Sequence, residues 1–447
     1  MKRITAFLLS VAMTLSLVGC ANGNTGVPQN DPNLQNNQNI QTDPKIQSDT
    51  DHGNTVQGRT TDLMANISKR GIDVQPNQTD GLQAITDFSV RLAQNSFSED
   101  RNLLVSPLSI LCALAMTANG ASGETRTQME ATFGLSIEEL NHYLAWYVST
   151  LPQGEQYKLH LANSIWFTED SRFTPKQDFL QINADYYGAD IYRAPFDTTT
   201  LQDINHWVDE KTEGMIPKIL NTIPPNAIMY LINALAFDAQ WASVYQEHNV
   251  YKDIFTKEDG SEQSVELMYA TESQYLSDER TTGFIKYYRG QSYAFVALLP
   301  KEGMSIEEYL RTLTGTQLRT LLDNATQTPV KTAIPKFETE YSVELSEVLS
   351  NMGITDAFLP QIANFSAMGS STDGNIYINR VLHKTFISVG EQGTKAGAVT
   401  LVEPTDTVAI EPDKRQEVFL NRPFVYLLID CENGLPFFIG TMMDMEA

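Results

Sequence analysis

SVGEQGTKAGAVT, residues Ser388–Thr400, opens a long segment with few bulky side chains that runs from Gly393 past Ala409. This segment lies between two strand-like runs, Val381–Val389 and Val418–Asp430. Small or β-branched residues occupy its even-numbered positions, Thr394, Ala396, Ala398, Thr400 and Val402. Because alternate residues of a strand share one face, the segment can enter a sheet with its compact face towards a core. Taken without its flanks, the composition of the segment favours a plain surface loop over an inserting strand.

Seven blocks of sequence, one of which contains this segment, follow one another along the chain. They are NLLVSPLSILCALAMTANGASGETRTQM (Asn102–Met129), LANSIW (Leu161–Trp166), INHWVDEKTEGMI (Ile204–Ile216), LINALAFDAQW (Leu231–Trp241), IPKF (Ile334–Phe337), VLHKTFISVGEQGTKAGAVT (381–400) and EVFLNRPFVYLLIDCENGLPFFIG (417–440). In content and order they resemble the serpin family, over roughly residues 80 to 443. The resemblance implies an α+β serpin fold, with three β-sheets, eight or nine helices and an exposed reactive-centre loop.

The resemblance also implies a mechanism, that of a suicide inhibitor of serine proteases rather than an enzyme. A protease cleaves the loop and forms an acyl-enzyme, and the freed segment from Thr394 onward inserts into the central sheet. We therefore expect Thr394 to lie in the exposed loop before cleavage and in the sheet afterwards. The expected partner is a target protease held in a covalent complex by a monomeric inhibitor.

Three groups of residues carry over from the family by their positions in the blocks. The hinge of the loop is Gly393, Thr394, Ala396, Ala398 and Thr400. The breach, where the loop first enters the sheet, is Trp241, Lys336 and Glu391, and we expect an ion pair between Lys336 and Glu391 beneath Trp241. The shutter, under the sheet centre, is Ser106, Ser109, Asn163, Asn233 and His383. A polar Asn233 on an apolar strand face needs a partner, which His383 can supply.

The family's usual loop register places the scissile bond between Thr407 and Val408, with the neighbouring bonds at Ala409 and Ile410 left open. These small or aliphatic residues suit an elastase-like or subtilisin-like protease. Lys414 and Arg415 would suit a trypsin-like enzyme but would require a much longer inserting segment. Two alternatives remain: a non-inhibitory serpin that acts as a binding protein, and an inhibitor of papain-like cysteine proteases.

Departures from the family pattern in the loop are Lys395, where the family usually has Glu, Gly397 and Pro404. Gly397 weakens a strand, and Pro404 removes one backbone donor. We expect them to slow insertion without preventing it.

Motifs of catalysis are missing from the sequence. It contains no G-x-S-x-G elbow, no Walker loop and no G-x-G-x-x-G, and none of the six histidines is spaced H-x-x-x-H. A lipoprotein hydrolase or a solute-binding protein is therefore disfavoured. The chain of 447 residues is 42% hydrophobic with a net charge of −24, which suits a large core and argues against a nucleic-acid or polyanion partner. No cofactor is expected.

The N-terminus has the pattern of a targeting segment. Lys2 and Arg3 precede the apolar run 4–18, which is too short for a comfortable transmembrane helix. The run ends in LVGC, which resembles a bacterial lipobox with Cys20 as the acylated residue; an ordinary signal peptide is the alternative. Residues 1–20 are thus expected to be a lipoprotein signal, and the protein to be lipid-anchored on the outer face of a bacterial cell membrane.

Residues 21–61 are rich in Asn and Gln and nearly free of bulky apolar residues, so we expect a flexible linker. The serpin domain is expected over residues 62–447, with Asp62–Thr79 as a transitional stretch that packs on it. Cys112 is expected to be a small buried hydrophobe, and the sequence does not decide whether it is joined to Cys431.

Periodicity predicts two helices and four strands around these motifs. The helices are expected over Val105–Asn119 and Ile204–Leu220, and the strands over Tyr230–Phe237, Ala294–Leu299, Val381–Val389 and Val418–Leu428.

Overall fold

The computed structural model of the chain describes residues 60–74, 76–154, 156–169, 173–223, 228–372, 375–394 and 415–446. The α-helices within these ranges are α1 Gln78–Ser96, α2 Pro107–Ala118, α3 Gly123–Phe133, α4 Ile137–Thr150, α5 Gln177–Tyr187, α6 Thr198–Lys211, α7 Ile306–Thr312, α8 Gly315–Asp323 and α9 Ser346–Asn351. Two short 3₁₀ turns lie at Glu247–Asn249 and Asp356–Phe358.

The strands of the described ranges form three sheets. They are β1 Thr61–Asp62, β2 Leu103–Val105, β3 Tyr157–Thr168, β4 Phe173–Pro175, β5 Asp190–Ala194, β6 Met229–Gln240, β7 Val250–Thr256, β8 Glu262–Ser277, β9 Thr281–Tyr287, β10 Tyr293–Pro300, β11 Thr326–Pro335, β12 Phe337–Glu344, β13 Gly369–Ser371, β14 Arg380–Val389, β15 Gly393–Thr394, β16 Gln416–Phe419, β17 Phe424–Asp430 and β18 Pro436–Met442. This mixture of helices and sheets confirms the predicted α+β class.

The sheet that positions the candidate site has seven strands in the order β1-β5-β3-β6-β15-β14-β12. The long strands β3, β6 and β14 form its centre; β3 runs antiparallel to β6, whereas β14 runs parallel to β6. Strand β6 is almost wholly buried on both faces, as expected for a strand covered on each side. The short β15 lies between β6 and β14 at one end of the sheet only.

The second sheet has nine strands and contains the end of the chain. Its order is β16-β11-β8-β9-β10-β17-β18-β2, with β7 paired to β8. Every residue of β17 and β18 is buried. The third sheet is the β4–β13 pair.

Helix α2 lies between the two large sheets, and all twelve of its residues are buried. A helix that is apolar all round needs such a position. Ser106 caps its N-terminus by accepting a hydrogen bond from the backbone N–H of Ser109, and Pro107 occupies the first turn, where a missing N–H costs nothing. The predicted start at Val105 was therefore two residues early, because Val105 ends β2.

Two other predicted elements, one helix and one strand, differ from the structure. The predicted helix Ile204–Leu220 ends at Lys211, since Glu213 and Gly214 follow with positive φ and turn the chain. The predicted strand Val418–Leu428 is two strands, β16 and β17, separated at Pro423. The predicted boundary after residue 61 falls inside β1, whose two residues are too short to show a hydrophobic pattern.

The stretch Asp62–Thr79 packs on the domain, as predicted. Strand β1 pairs antiparallel with β5, and Leu63, Met64 and Ile67 lie against the main core. Arg70 then binds the buried carboxylate of Asp185 through Nε and Nη2, at 2.8 and 2.5 Å. A two-point contact of this kind fixes the segment in register.

Cys112 and Cys431 are free thiols. Burial raises the pKa of Cys112 to about 12, which makes its thiol unreactive near neutral pH. In the described part of the chain, no helix is long and apolar enough to cross a membrane.

Candidate functional site

The first two hinge residues already lie in the seven-stranded sheet. Gly393 and Thr394 form β15, which pairs with Gln240 and Ala239 of β6 on one side, while Thr394 also pairs with Val389 of β14. The Thr394 side chain is buried, and its hydroxyl lies 2.5 Å from the hydroxyl of Tyr288. The loop therefore turns back into the sheet immediately after Gln392.

The expectation that Thr394 is exposed before cleavage is wrong. Its compact, hydroxylated side chain finds both a core position and a partner in Tyr288, so burial leaves no polar group unsatisfied. Gly393 makes this approach possible, because a Cβ at that position would lie 2.1 Å from the carbonyl oxygen of Ala239. Sequence alone could show that Thr394 was compatible with a core, but not that it was already there.

We call the boundary between β6 and β14 the seam. Further along the seam from Thr394, the two strands are in direct contact. The two strands pair directly from Tyr230 with Arg380 to Leu235 with Thr385. The seam is thus occupied by the loop at one end and sealed by direct strand pairing at the other. Further residues of the loop could enter only if this pairing opened.

The breach residues meet around the point of entry. Trp241 is buried, its indole Nε1–H donates to the carbonyl oxygen of Gly390 at 2.8 Å, and its backbone N–H donates to that of Gln392 at 2.8 Å. Lys336 and Glu391 form the predicted ion pair, and Lys336 also binds Glu266 at 3.0 Å. The cation over the Trp241 ring, however, is Lys286, whose Nζ lies 5.3 Å from the ring centre.

The Lys336–Glu391 pair shifts both pKa values in the direction expected for a real contact. Partial burial is the largest single influence and would raise the pKa of Glu391, but the hydrogen bond from Lys336, a backbone hydrogen bond and the charge of Lys336 together hold that pKa below its ordinary value. Partial burial alone would lower the pKa of Lys336, and the hydrogen bonds to Glu391 and Glu266 raise it instead.

The shutter residues form one hydrogen-bonded chain under the centre of the sheet. The backbone N–H of Ser106 donates to His383 Nε2 at 3.0 Å, His383 Nδ1 lies 2.5 Å from Asn233 Oδ1, and Asn233 Nδ2 donates to Asn163 Oδ1 at 2.6 Å. Ser109 completes the chain, with its hydroxyl 3.5 Å from Asn163 Oδ1. The chain joins helix α2 to strands β3, β6 and β14, so all five predicted residues come together.

The Ser106 end of this chain sets the protonation of His383. A backbone N–H can only donate, so Nε2 must carry a lone pair and Nδ1 must carry the proton that Asn233 accepts. Complete burial lowers the pKa of His383 to about 3, which keeps the ring neutral under ordinary conditions. A second ring proton would face the Ser106 N–H and break the chain.

Several predicted residues lie outside the part of the chain that the structure describes. They are the hinge residues Ala396, Ala398 and Thr400, the scissile-bond residues Thr407 and Val408, and the acylation site Cys20. Their roles stay predictions. In the described ranges, no group of three or more His, Cys, Asp or Glu side chains is arranged to hold a metal ion.

A sequence model of the serpin family, described as serpin (serine protease inhibitor), matches residues 83–445, which contain the breach, the hinge and the shutter. The chain belongs to the serpin family.

Relatives of this serpin occur in distant organisms. An uncharacterized serpin-like protein of Thermococcus kodakarensis is 30% identical over 372 residues, covering 81% of this chain and 85% of that protein. Leukocyte elastase inhibitor A of Mus musculus is 28% identical over 377 residues, covering 80% and 97%.

Crystal structures of tengpin, a thermophilic serpin, allow two conformations to be compared. Tengpin in the native state is 49% identical, covers 86% of this chain and 99% of its own, and superposes with a TM-score of 0.83. Tengpin in the latent state is 48% identical and covers 84% and 100%, but superposes with a TM-score of only 0.73. The conformation of this serpin is therefore closer to the one called native.

Sequence reasoning missed Tyr288 and Lys286, both of which lie at the breach. Tyr288 stacks on Trp241 with ring centres 4.4 Å apart and also binds Thr394. Lys286 is buried and paired with Glu272. The signal that could have found it is a single charge within the apolar run GFIKYY of strand β9.

Proposed function

We propose that this serpin inhibits serine proteases by inserting its cleaved loop into the seven-stranded sheet. The position of β15 is the observation that carries the proposal, because the leading residues of the loop already occupy the seam in the orientation that a longer inserted strand would need. A loop cut beyond Thr394 would only have to continue along the path that β15 begins.

The energy for this insertion would come from new backbone pairing. A strand inserted between β6 and β14 exchanges one direct pairing for two, so that about ten further hydrogen bonds at about 1 kcal/mol each yield on the order of 10 kcal/mol. About fourteen inserted residues, at about 3.3 Å each, would carry a tethered protease roughly 45 Å. The uncleaved protein is then held by a kinetic barrier rather than by its relative stability.

We further propose that cleavage falls between Thr407 and Val408, with an elastase-like or subtilisin-like protease as the target. The support is the register counted from Gly393 and the small or aliphatic residues around that bond. Leukocyte elastase inhibitor A, by its name, inhibits an elastase, and its similarity extends over the same domain.

The test is to mix the protein with elastase and with subtilisin and to look for a complex that survives SDS. Mass spectrometry of the released C-terminal fragment should show Val408 as its new N-terminus. Replacing Thr407 by Arg should transfer inhibition to trypsin, and Thr407→Ser should leave the target unchanged as the matched control. Clean turnover without any complex would make the protein a substrate and refute the inhibitory function.

The location of the protein is a separate proposal. A diacylated Cys20 would anchor the chain outside a bacterial membrane, and the Asn/Gln-rich residues 21–59, which precede β1, would hold the domain away from the surface. Cys20→Ala should move the protein from the membrane to the soluble fraction while inhibition is unchanged, and Cys112→Ala is the control for cysteine loss as such. Membrane association that persists in Cys20→Ala would contradict the lipid anchor.

A further inference from the structure

Lys286 is a buried cation at the breach that no feature of the loop itself explains. Its side chain is 2% exposed, and its Nζ donates to Glu272 Oε1 at 2.7 Å and to the carbonyl oxygen of Ser243 at 3.1 Å. The same Nζ lies 4.3 Å from the ring centre of Tyr245 and 5.3 Å from that of Trp241. A buried lysine needs such partners to remain charged, and here three of them belong to one short stretch of chain.

That stretch, Trp241–Tyr245, is the turn that follows β6, and it holds the start of the loop. Trp241 donates to the carbonyl oxygens of Gly390 and Gln392, and the backbone N–H of Tyr245 donates to that of Glu391 at 3.0 Å. Gly390, Glu391 and Gln392, the three residues before Gly393, are thus held against this turn by hydrogen bonds. Lys286 fastens the turn to β9 on the neighbouring sheet and, through Glu272, to β8.

We propose that Lys286 is a positioning residue for loop insertion. By holding the Trp241–Tyr245 turn, it fixes Gly390–Gln392 as the pivot from which Gly393 and Thr394 enter the sheet. When the loop is cut, a fixed pivot keeps the strand in register, so that insertion outruns hydrolysis of the acyl-enzyme. The contribution of Lys286 to inhibition rests on the function proposed above, whereas its hold on the turn does not.

The competing explanation is that Lys286 and Glu272 merely neutralise each other. Lys286→Met alone would not separate the two, because it leaves Glu272 without a partner in a nearly closed site. The double variant Lys286→Met/Glu272→Gln removes both charges at similar volume and so removes the penalty of an unpaired carboxylate. The double variant has neither the hydrogen bond to the carbonyl oxygen of Ser243 nor a cation over the rings of Trp241 and Tyr245.

Amide hydrogen exchange of the intact protein tests the hold on the turn. In the double variant, peptides containing Trp241–Tyr245 and Gly390–Thr394 should exchange about tenfold faster, the change expected for loss of one charge-assisted hydrogen bond. Peptides from β17 and β18 should be unchanged. Lys257→Met, which removes a partly exposed pair with Asp444 elsewhere, is the matched control and should leave the turn as it is. Unchanged exchange at the turn in the double variant would overturn the proposal.

The consequence for insertion is measured as the number of inhibitor molecules consumed per protease inhibited. The double variant should raise this number several-fold, while the rate of first encounter with the protease stays the same. Faster exchange with an unchanged number would assign Lys286 a purely structural role and refute the proposal. If the parent protein forms no SDS-stable complex, the inhibitory function fails, and hydrogen exchange alone decides whether Lys286 holds the turn.

Discussion

The breach and the shutter lie on the same seam, yet they are built from opposite kinds of chemistry. At the breach, β15 already separates β6 from β14, and the surrounding groups are ion pairs and stacked aromatic rings. At the shutter, β6 and β14 pair directly, and the groups beneath them are neutral and, apart from the partly buried Asn163, fully buried. One end of the seam has admitted the loop, and the other end opposes it.

This difference indicates where the barrier to insertion lies. Contact between β6 and β14 contributes little stability at the breach, because Gly393 and Thr394 already lie between the two strands. The shutter must lose a chain of buried hydrogen bonds before the seam can widen, and each broken bond leaves a desolvated polar group. In the proposed mechanism, the barrier to insertion is therefore concentrated at the shutter.

The largest effect should come from cutting the loop near Thr407 with a trace of protease. If the shutter is only a kinetic barrier, the nicked protein gains on the order of 10 kcal/mol by completing the strand, and its melting temperature should rise by more than about 10 °C. Cutting a loop ordinarily lowers stability. Calorimetry before and after the cut is the measurement. A nicked form that is no more stable than the intact protein would mean that the shutter is not a kinetic barrier to insertion.

Replacing Thr394 by Arg should disrupt the short strand β15 at the breach. A guanidinium has no partner at this buried position, so β15 should be expelled, and the intact protein should lose about 2–4 kcal/mol. The variant should be cleaved as a substrate, and its nicked form should show none of the thermal gain. Thr394→Ser keeps the hydroxyl that reaches Tyr288 and should retain inhibition; a normal yield of SDS-stable complex from Thr394→Arg would argue against insertion.

Acid should weaken the shutter selectively. His383 has a pKa of about 3 when folded and an ordinary value of 6.5, so between these values the unfolded chain binds the extra proton and stability falls as the pH falls. From about pH 7 to about pH 5 the loss is about 2 kcal/mol. Urea unfolding across this range measures it.

His383→Gln is the control for the acid effect. The amide oxygen can accept from Ser106 and the amide N–H can donate to Asn233, so the chain is kept without a titrating group. The acid-dependent loss should shrink by about 2 kcal/mol in this variant. An identical pH profile in parent and variant would exclude His383 as its source.

The smallest effect should come from Glu391→Gln at the breach. The side chains of Lys336 and Glu391 are 28% and 36% exposed, and Lys336 keeps Glu266 as a partner, so the loss should stay below about 1 kcal/mol. Added salt should reduce the difference further. A loss of stability greater than about 2 kcal/mol would mean that the breach also opposes the opening of the seam.

The five shutter residues were predictable because the family resemblance places them together, and the pairing of Asn233 with His383 also followed from a polar residue on an apolar strand face that needs a partner. Ser106 and His383 are 277 residues apart, but the family order of the blocks brought them together. The Lys336–Glu391 pair was predictable because the family resemblance places both residues at the breach.

The state of the loop was not predictable, because Thr394 suits an exposed loop and a core equally well. Its burial depends on Tyr288, which is far away in the sequence and directly follows strand β9 of another sheet. The position of Lys286 over Trp241 was not predicted, since a lysine in a strand carries no mark of the ring beside it. Boundaries such as the split at Pro423 depended on local turns that hydrophobic runs conceal.

The pairing of β2 with β18 has a consequence for how the molecule is made. Leu103 and Thr441 are neighbours across this pairing, and β18 and β17 lie between β2 and β10 in the nine-stranded sheet. A ribosome delivers β2 long before β18, because Leu103 and Thr441 are 338 residues apart in the chain, so the sheet remains split until β17 and β18 have been made. Contacts of such sequence separation form slowly. For a chain exported in an extended form, the nine-stranded sheet could therefore close only after β18 has crossed the membrane.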